Sequence, residues 1–153
     1  MDLILWRHAE AKDAQEGQDD LSRALTSRGE KQAARMAKWL GRQLPDATRI
    51  VSSPALRCEQ TALALSGKYK LKPELAPGCS VDDLLKVAQW PDAKSPVLVV
   101  GHQPVLGQAI AHLLGLDGGE GVVRRGAVWW LRSRERDGQG QTVVVAVQSP
   151  EVL

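Results

Sequence analysis

Apolar residues in this chain fall into two kinds of pattern. Short unbroken runs occur at Leu3-Ile4-Leu5-Trp6, at Ile50-Val51 and at Val97-Leu98-Val99-Val100, and such runs suit strands buried on both faces. Between them apolar residues recur every three or four positions. Ala33, Met36, Ala37, Leu40 and Leu44 form one stripe, which predicts a helix from about Ser27 with Ser27 and Glu30 as a capping box and Pro45 as its stop signal. Residues 11–25 are polar, carry Glu16, Asp19 and Asp20, and read as a surface loop.

The rest of the chain continues the alternation. Residues 49–52 predict a second strand, and Ser53-Pro54 suits an N-cap and first helical position for a helix to about Leu65. A short third strand within 69–75 is weakened by Pro73. Ser80 with Asp83 predicts a helix to about Trp90, residues 97–101 the clearest parallel strand, and Pro104 to about Leu114 the following helix. The Gly-rich stretch Gly115 to Gly121 ends that unit. Residues 127–131 and 142–148 predict two strands joined by Asp137-Gly138, a hairpin signal. Alternation from strand to helix, closed by a hairpin, predicts a three-layer α/β fold: a mostly parallel sheet with an antiparallel edge hairpin. With 153 residues, no internal repeat and no linker, residues 1–153 are expected to form a single domain.

Composition changes this picture little. The 43% hydrophobic and 25% charged content is that of a globular protein, and a formal charge of +2 gives no ground for nucleic-acid binding. Arg124, Arg125, Arg132, Arg134 and Arg136 cluster late; without an aromatic stacking motif they read as a solvated hairpin rim. No apolar run approaches a membrane span and no leader pattern precedes the first strand, so no membrane partner is expected. Cys58 and Cys79 lack C-x-x-C spacing, which suits reduced thiols in a cytoplasmic protein. The Trp129-Trp130 pair is a candidate exposed edge, although the outward Trp fits better under a helix. A monomer is expected.

The candidate chemistry sits at the strand ends. The first run delivers Arg7-His8, the third Gly101-His102, and the second Ser52-Ser53-Pro54 with Arg57 a few residues on. Open α/β sheets place ligand sites at the carboxyl ends of their strands. Two guanidiniums match a phosphoryl or carboxylate group, helices opening near Pro54 and Pro104 add positive dipole ends, and a neutral imidazole there is a competent nucleophile. The second histidine, if protonated, would donate to a phosphoryl oxygen. His112 lies mid-helix and reads as structural or surface. Rival schemes fail on spacing: six residues after Cys58 and Cys79 stand Ala64 and Leu85 rather than Arg, Gly67-Lys68 lacks the rest of a P-loop, and Arg7 follows Trp6 where an aspartyl nucleophile would stand. Flanking arginines disfavour a metal between His8 and His102.

Taken together, these segments resemble the histidine phosphatase superfamily, the phosphoglycerate mutase-like proteins. Leu5-Trp6-Arg7-His8-Ala9-Glu10-Ala11 is similar to its R-H-G/A signature and Ser52–Ala62 to its S-S-P-x-x-R-x-x-Q-T segment. Val99–Pro104 is similar to its second-histidine segment, and Asp20–Gly29 to the L-T-x-x-G stretch. The short length and R-H-A-E-A variant resemble the SixA-type branch, the phosphohistidine phosphatases of bacteria. The resemblance implies His8 as nucleophile through a phosphohistidine intermediate, Arg7, Arg57 and His102 as the phosphate pocket, a mixed sheet with helices on both faces, and no metal or other cofactor. Ala9 stands where most of the superfamily has Gly. Larger members carry an acidic proton donor after the third strand; here Asp82 and Asp83 begin a helix and match no donor motif, so the general acid is unassigned. Imidazole leaves a P–N bond more readily than an alkoxide leaves a P–O bond, and a chain without insertions should have an open pocket. Both favour a protein phosphohistidine, with a phosphorelay domain as one candidate. The alternatives are a broad phosphomonoesterase acting on sugar or nucleotide phosphates and a phosphate-binding module without turnover.

Overall fold

The computed structural model describes residues 1–116 and 121–153. Of the Gly-rich stretch expected at Gly115 to Gly121, residues 117–120 therefore lie outside the described residues. The elements run β1 (Asp2–Arg7), α1 (Ser27–Gln43), β2 (Arg49–Ser52), α2 (Leu56–Leu65), β3 (Lys70–Leu71), α3 (Val81–Ala88), β4 (Val97–Gly101), α4 (Val105–Leu114), β5 (Val128–Arg136) and β6 (Gln139–Gln148), with short 3₁₀ turns at Asp20–Ser22, Pro73–Leu75 and Pro150–Val152. They form one six-stranded sheet in the order β3-β2-β4-β1-β5-β6. β3, β2, β4 and β1 are parallel, while β5 and β6 are antiparallel.

The unbroken apolar runs are explained by two covered faces. Leu3 and Leu5 of β1 pack with Val97 and Val99 against Leu84 of α3 and Leu106 and Ile110 of α4. Ile4 and Trp6 point the other way, with Leu98 and Val100, onto Met36 and Leu40 of α1 and Cys58 and Ala62 of α2. Each such large side chain, fully buried, contributes about 1.5–3 kcal/mol. Trp129 and Trp130 divide in the same way: Trp129 is partly buried against the α3–α4 core, and Trp130 packs on the α1–α2 face. Neither forms an exposed edge.

Three local expectations are corrected. Helix α1 is capped by Thr26, not Ser27: the Thr26 hydroxyl oxygen accepts from Gly29 N–H at 2.9 Å and its O–H donates to Glu10 Oε2 at 2.8 Å. That tertiary partner moves the cap by one residue. Ser53-Pro54 does not open α2, whose N-cap is Ala55 with no side-chain cap bond; the Ser53 hydroxyl oxygen accepts from Ala55 N–H at 3.2 Å, ahead of the helix, and contacts His102 Nε2 at 2.7 Å. The hairpin strands also run to the turn, with Arg136 opposite Gln139 and both Asp137 (φ 55°) and Gly138 (φ 78°) in the left-handed region that a two-residue hairpin turn needs. Its polar end leaves no apolar alternation to read.

Gly29, the glycine of L-T-x-x-G, is required by contact. A Cβ there would lie 2.0 Å from the Glu10 carbonyl oxygen, and that oxygen already accepts from Thr26 N–H at 3.0 Å. Gly29→Ala is expected to destabilise the protein by about 1–3 kcal/mol, the usual cost of overpacking. Urea unfolding of the variant measures it, and unchanged stability would refute the close approach of α1 to the segment after β1.

Candidate active site

β2, β4 and β1 are neighbours and parallel, so the residues that follow them meet at one end of the sheet. Main-chain bonds extend the ladder into these loops: His8 N–H donates to Gly101 C=O at 3.1 Å, and Ser53 N–H to Val100 C=O at 3.0 Å. The result brings Arg7, His8, Arg57 and His102 to the wall of one cavity of about 210 Å³. All four residues expected from the sequence are thus adjacent. His112 is exposed on α4, and Asp82 and Asp83 are exposed at the start of α3, where Asp83 completes a capping box with Ser80; none of the three lines this cavity.

The Q-T pair of the long motif has a structural use. Gln60 Oε1 accepts from Leu25 N–H at 2.7 Å, while the Thr61 hydroxyl accepts from Ala9 N–H at 3.1 Å and donates to Arg57 C=O at 2.7 Å. Helix α2 thereby holds both the loop after His8 and the loop before α1. On the other side, Arg7 Nη1 donates to Val123 C=O at 2.8 Å and Trp6 Nε1 to Gly126 C=O at 3.0 Å.

The two imidazoles sit with ring centroids 5.3 Å apart at 61°. His8 Nδ1 lies 2.7 Å from Ala9 C=O. A carbonyl only accepts, so Nδ1 carries the proton and Nε2 keeps its lone pair. His102 Nε2 contacts Ser53 Oγ at 2.7 Å, leaving Nδ1 on the side of Arg57 Nη2 at 3.5 Å. Burial, then the nearby Arg57 and Arg7 charges, push His8 down to about 4 against the partial opposition of the Ala9 bond. Burial, followed by His8 and Arg57, pushes His102 down to about 3. Both rings are neutral at neutral pH. The protonated second histidine expected from the sequence is therefore not the resting state, and burial is the first reason, with the neighbouring His8 and Arg57 adding to it. Burial pushes the Cys58 thiol up to about 12, so it stays protonated and is no competing nucleophile.

These shifts bear on stability with a definite sign. Unfolded histidine titrates near 6.5, above both folded values, so the unfolded chain takes up protons first as pH falls. The stability tied to the neutral pair is full above about pH 6.5 and is lost as pH drops from there toward about 4. Urea unfolding should show a marked loss between about pH 7 and pH 5, and the His8→Ala/His102→Ala variant a shallower one. An equal slope in both proteins would contradict the assignment.

Arg57 is almost fully buried. Its Nη1 donates to Asp20 C=O at 2.8 Å and its Nη2 to Asp20 Oδ2 at 3.1 Å, and Asp20 also pairs with Arg23 at 2.9 Å. Arg57 Nε and Arg7 Nε are buried donors without a partner among the described residues. Sequence reasoning missed the polar remainder of the wall, Asp13, Arg23, Gln103 and Arg125, and the apolar Ala11 and Pro77. Arg125 pairs with Glu10 at 3.6 Å and is corrected from the solvated rim to the site. Because β5 lies antiparallel beside β1, the residues just before β5 fall at the carboxyl end of β1. The sheet order would have located Arg125, and Arg23 lies within the quoted Asp20–Gly29 stretch. Of the other late arginines, Arg124 pairs with Glu151 and Arg132 with Asp2 at 2.7 Å, while Arg134 Nε donates to Gln141 Oε1 at 3.4 Å.

Among the described residues no group of three or more His, Cys, Asp or Glu side chains is arranged to hold a metal ion. What the geometry holds is a neutral imidazole with a free lone pair beside guanidinium donors, a setting fit for attack on an anionic electrophile.

Residues 3–79 match the family model of the histidine phosphatase superfamily (branch 1). The phosphohistidine phosphatase SixA of Escherichia coli K12 is 33% identical over 122 residues, covering 74% of this chain and 74% of that protein. A phosphohistidine phosphatase SixA homolog of Haemophilus influenzae is 32% identical over 131 residues, covering 75% of this chain and 78% of that protein. Among solved structures, the protein histidine phosphatase SixA complexed with tungstate superposes with a TM-score of 0.76 at 27% identity, over 99% of each chain.

Proposed function

Since the chain belongs to the histidine phosphatase superfamily (branch 1), and is a hydrolase of that superfamily with SixA-like relatives, we propose that it removes the phosphoryl group from a phosphohistidine on another protein, with His8 as nucleophile. The observation that carries this reading is the His8 ring: Nδ1 is tied to the Ala9 carbonyl, and the cavity beside it is lined by Arg7, Arg57 and His102. His8 Nε2 attacks phosphorus and the P–N bond to the substrate imidazole breaks; that ring, already protonated by solvent on its other nitrogen, takes the bonding electron pair and leaves as neutral imidazole. Arg7 and Arg57 take the phosphoryl oxygens, which gives their unpartnered Nε donors acceptors at last. His102 supports the remaining oxygen as charge shifts in the transition state. Water then attacks the phosphorylated His8, the P–N bond to His8 breaks, and phosphate departs.

Substrate choice follows from the leaving group. Asp13 is the carboxyl on the cavity wall, and it is exposed. A dedicated general acid contributes about 10²–10⁴-fold, and an alkoxide needs that help more than an imidazole does. The 210 Å³ cavity suits a protruding phosphorylated side chain. A phosphorylated histidine-phosphotransfer domain should turn over with a kcat/KM at least about 10²-fold above those of phosphoserine, sugar phosphates and nucleoside monophosphates. A panel in which small phosphoesters match or exceed the protein would replace this reading with that of a general phosphomonoesterase.

A further inference from the structure

A wider concavity than the active site, about 630 Å³ against 210 Å³, lies along the other edge of the sheet. It lies between α3 and the edge formed by β2 and β3. Five cations line it: Arg49 from β2, Lys70 from β3, Lys68 and Lys72 from the segments just before and after it, and Lys86 from α3. None of the four lysines makes an ion pair among the described residues. Two acids, Glu74 and Asp83, also line the wall, and Asp83 Oδ2 is already occupied by Ser80 N–H at 3.1 Å. Arg49 Nη1 donates to Gln89 Oε1 at 3.3 Å across the α3 end. Apolar wall is supplied by Val51 and Val87.

Lysines on an edge strand also discourage strand-to-strand association. That accounts for Lys70 alone; it does not account for cations from β2 and α3 converging on the same hollow. Unpaired like charges held around one concavity repel one another until an anion neutralises them, and the volume falls in the range of about 300–1,000 Å³ typical of small-ligand sites. We propose that this concavity binds a small ligand bearing several phosphate groups, either a nucleoside triphosphate or a polyphosphate chain. The lysines would take the phosphates, and the valine-lined wall would take the apolar face of a base.

The test is isothermal calorimetry on the full chain with ATP, inorganic tripolyphosphate and adenosine. The proteins are wild type, Arg57→Ala, the charge-reversed Lys70→Glu/Lys86→Glu and the milder Lys68→Gln/Lys72→Gln. The expected result is saturable one-to-one binding of ATP or tripolyphosphate that survives Arg57→Ala and weakens with added salt. Charge reversal should weaken it by about tenfold or more, the milder pair should weaken it less, and turnover should stay unchanged in both lysine variants. ATP tighter than tripolyphosphate assigns a nucleotide; equal affinities assign the phosphate chain. Binding abolished by Arg57→Ala, binding indifferent to all four lysine substitutions, or no saturable binding would each overturn the proposal.

Discussion

His8→Ala is expected to lower turnover of a phosphohistidine substrate by at least about 10⁴-fold, the scale seen when a nucleophile is removed from a covalent mechanism. The fold should survive. The main-chain bond from His8 N–H to Gly101 C=O does not depend on the side chain, and the main loss is the partner of the Ala9 carbonyl, worth about 1–3 kcal/mol for a buried group. Arg7, Arg57 and His102 remain, so the variant should still bind an oxyanion such as tungstate. The signature is therefore a collapse of kcat with little change in tungstate binding. A His8→Ala protein that keeps turnover would sink the mechanism; one that loses tungstate binding as well would make His8 a structural residue.

Arg57→Ala should cost about 10³-fold in kcat/KM, as expected when a positioned cation is taken from a transferring phosphoryl group. Its guanidinium is braced by Asp20 through both Nη atoms, which leaves the buried, unpartnered Nε for the substrate. Removing Arg57 also strips Asp20 of one of its two cations, leaving Arg23, so its carboxylate charge is less neutralised. Arg57→Lys should recover only part of the activity, because an ammonium restores charge but not the planar fork. Steady-state kinetics on the three proteins decides the matter. Full activity in Arg57→Lys would mean that charge alone is used, and full activity in Arg57→Ala would remove Arg57 from the site.

Much of this was legible in the sequence, for a physical reason. β1 and β4 are buried on both faces, so they read as unbroken apolar runs, and each of Arg7, His8 and His102 stands at or just after such a run; β2, exposed at Arg49 and buried only at Val51 and Ser52, reads as a shorter one. Arg57 lay one helical turn beyond Ser52-Ser53. What was not legible depends on contacts between distant segments. The cap of α1 is Thr26 because its hydroxyl finds Glu10, and the Ser53 hydroxyl is engaged by Ala55 N–H and His102 ahead of the first turn of α2. Arg125 joins the site only because β5 pairs with β1. The polar halves of β5 and β6 carry no pattern since neither face there is covered, and only the ladder shows them.

The central claim is that the phosphoryl group passes through His8 Nε2. The most direct measurement is to mix the protein with a radiolabelled phosphohistidine protein, quench within the first turnover, and locate the label by mass spectrometry under alkaline conditions. The account predicts a base-stable, acid-labile phosphoryl group on His8 that is absent from His8→Ala. Turnover with no label on the protein, or with the label on any other residue, would contradict it.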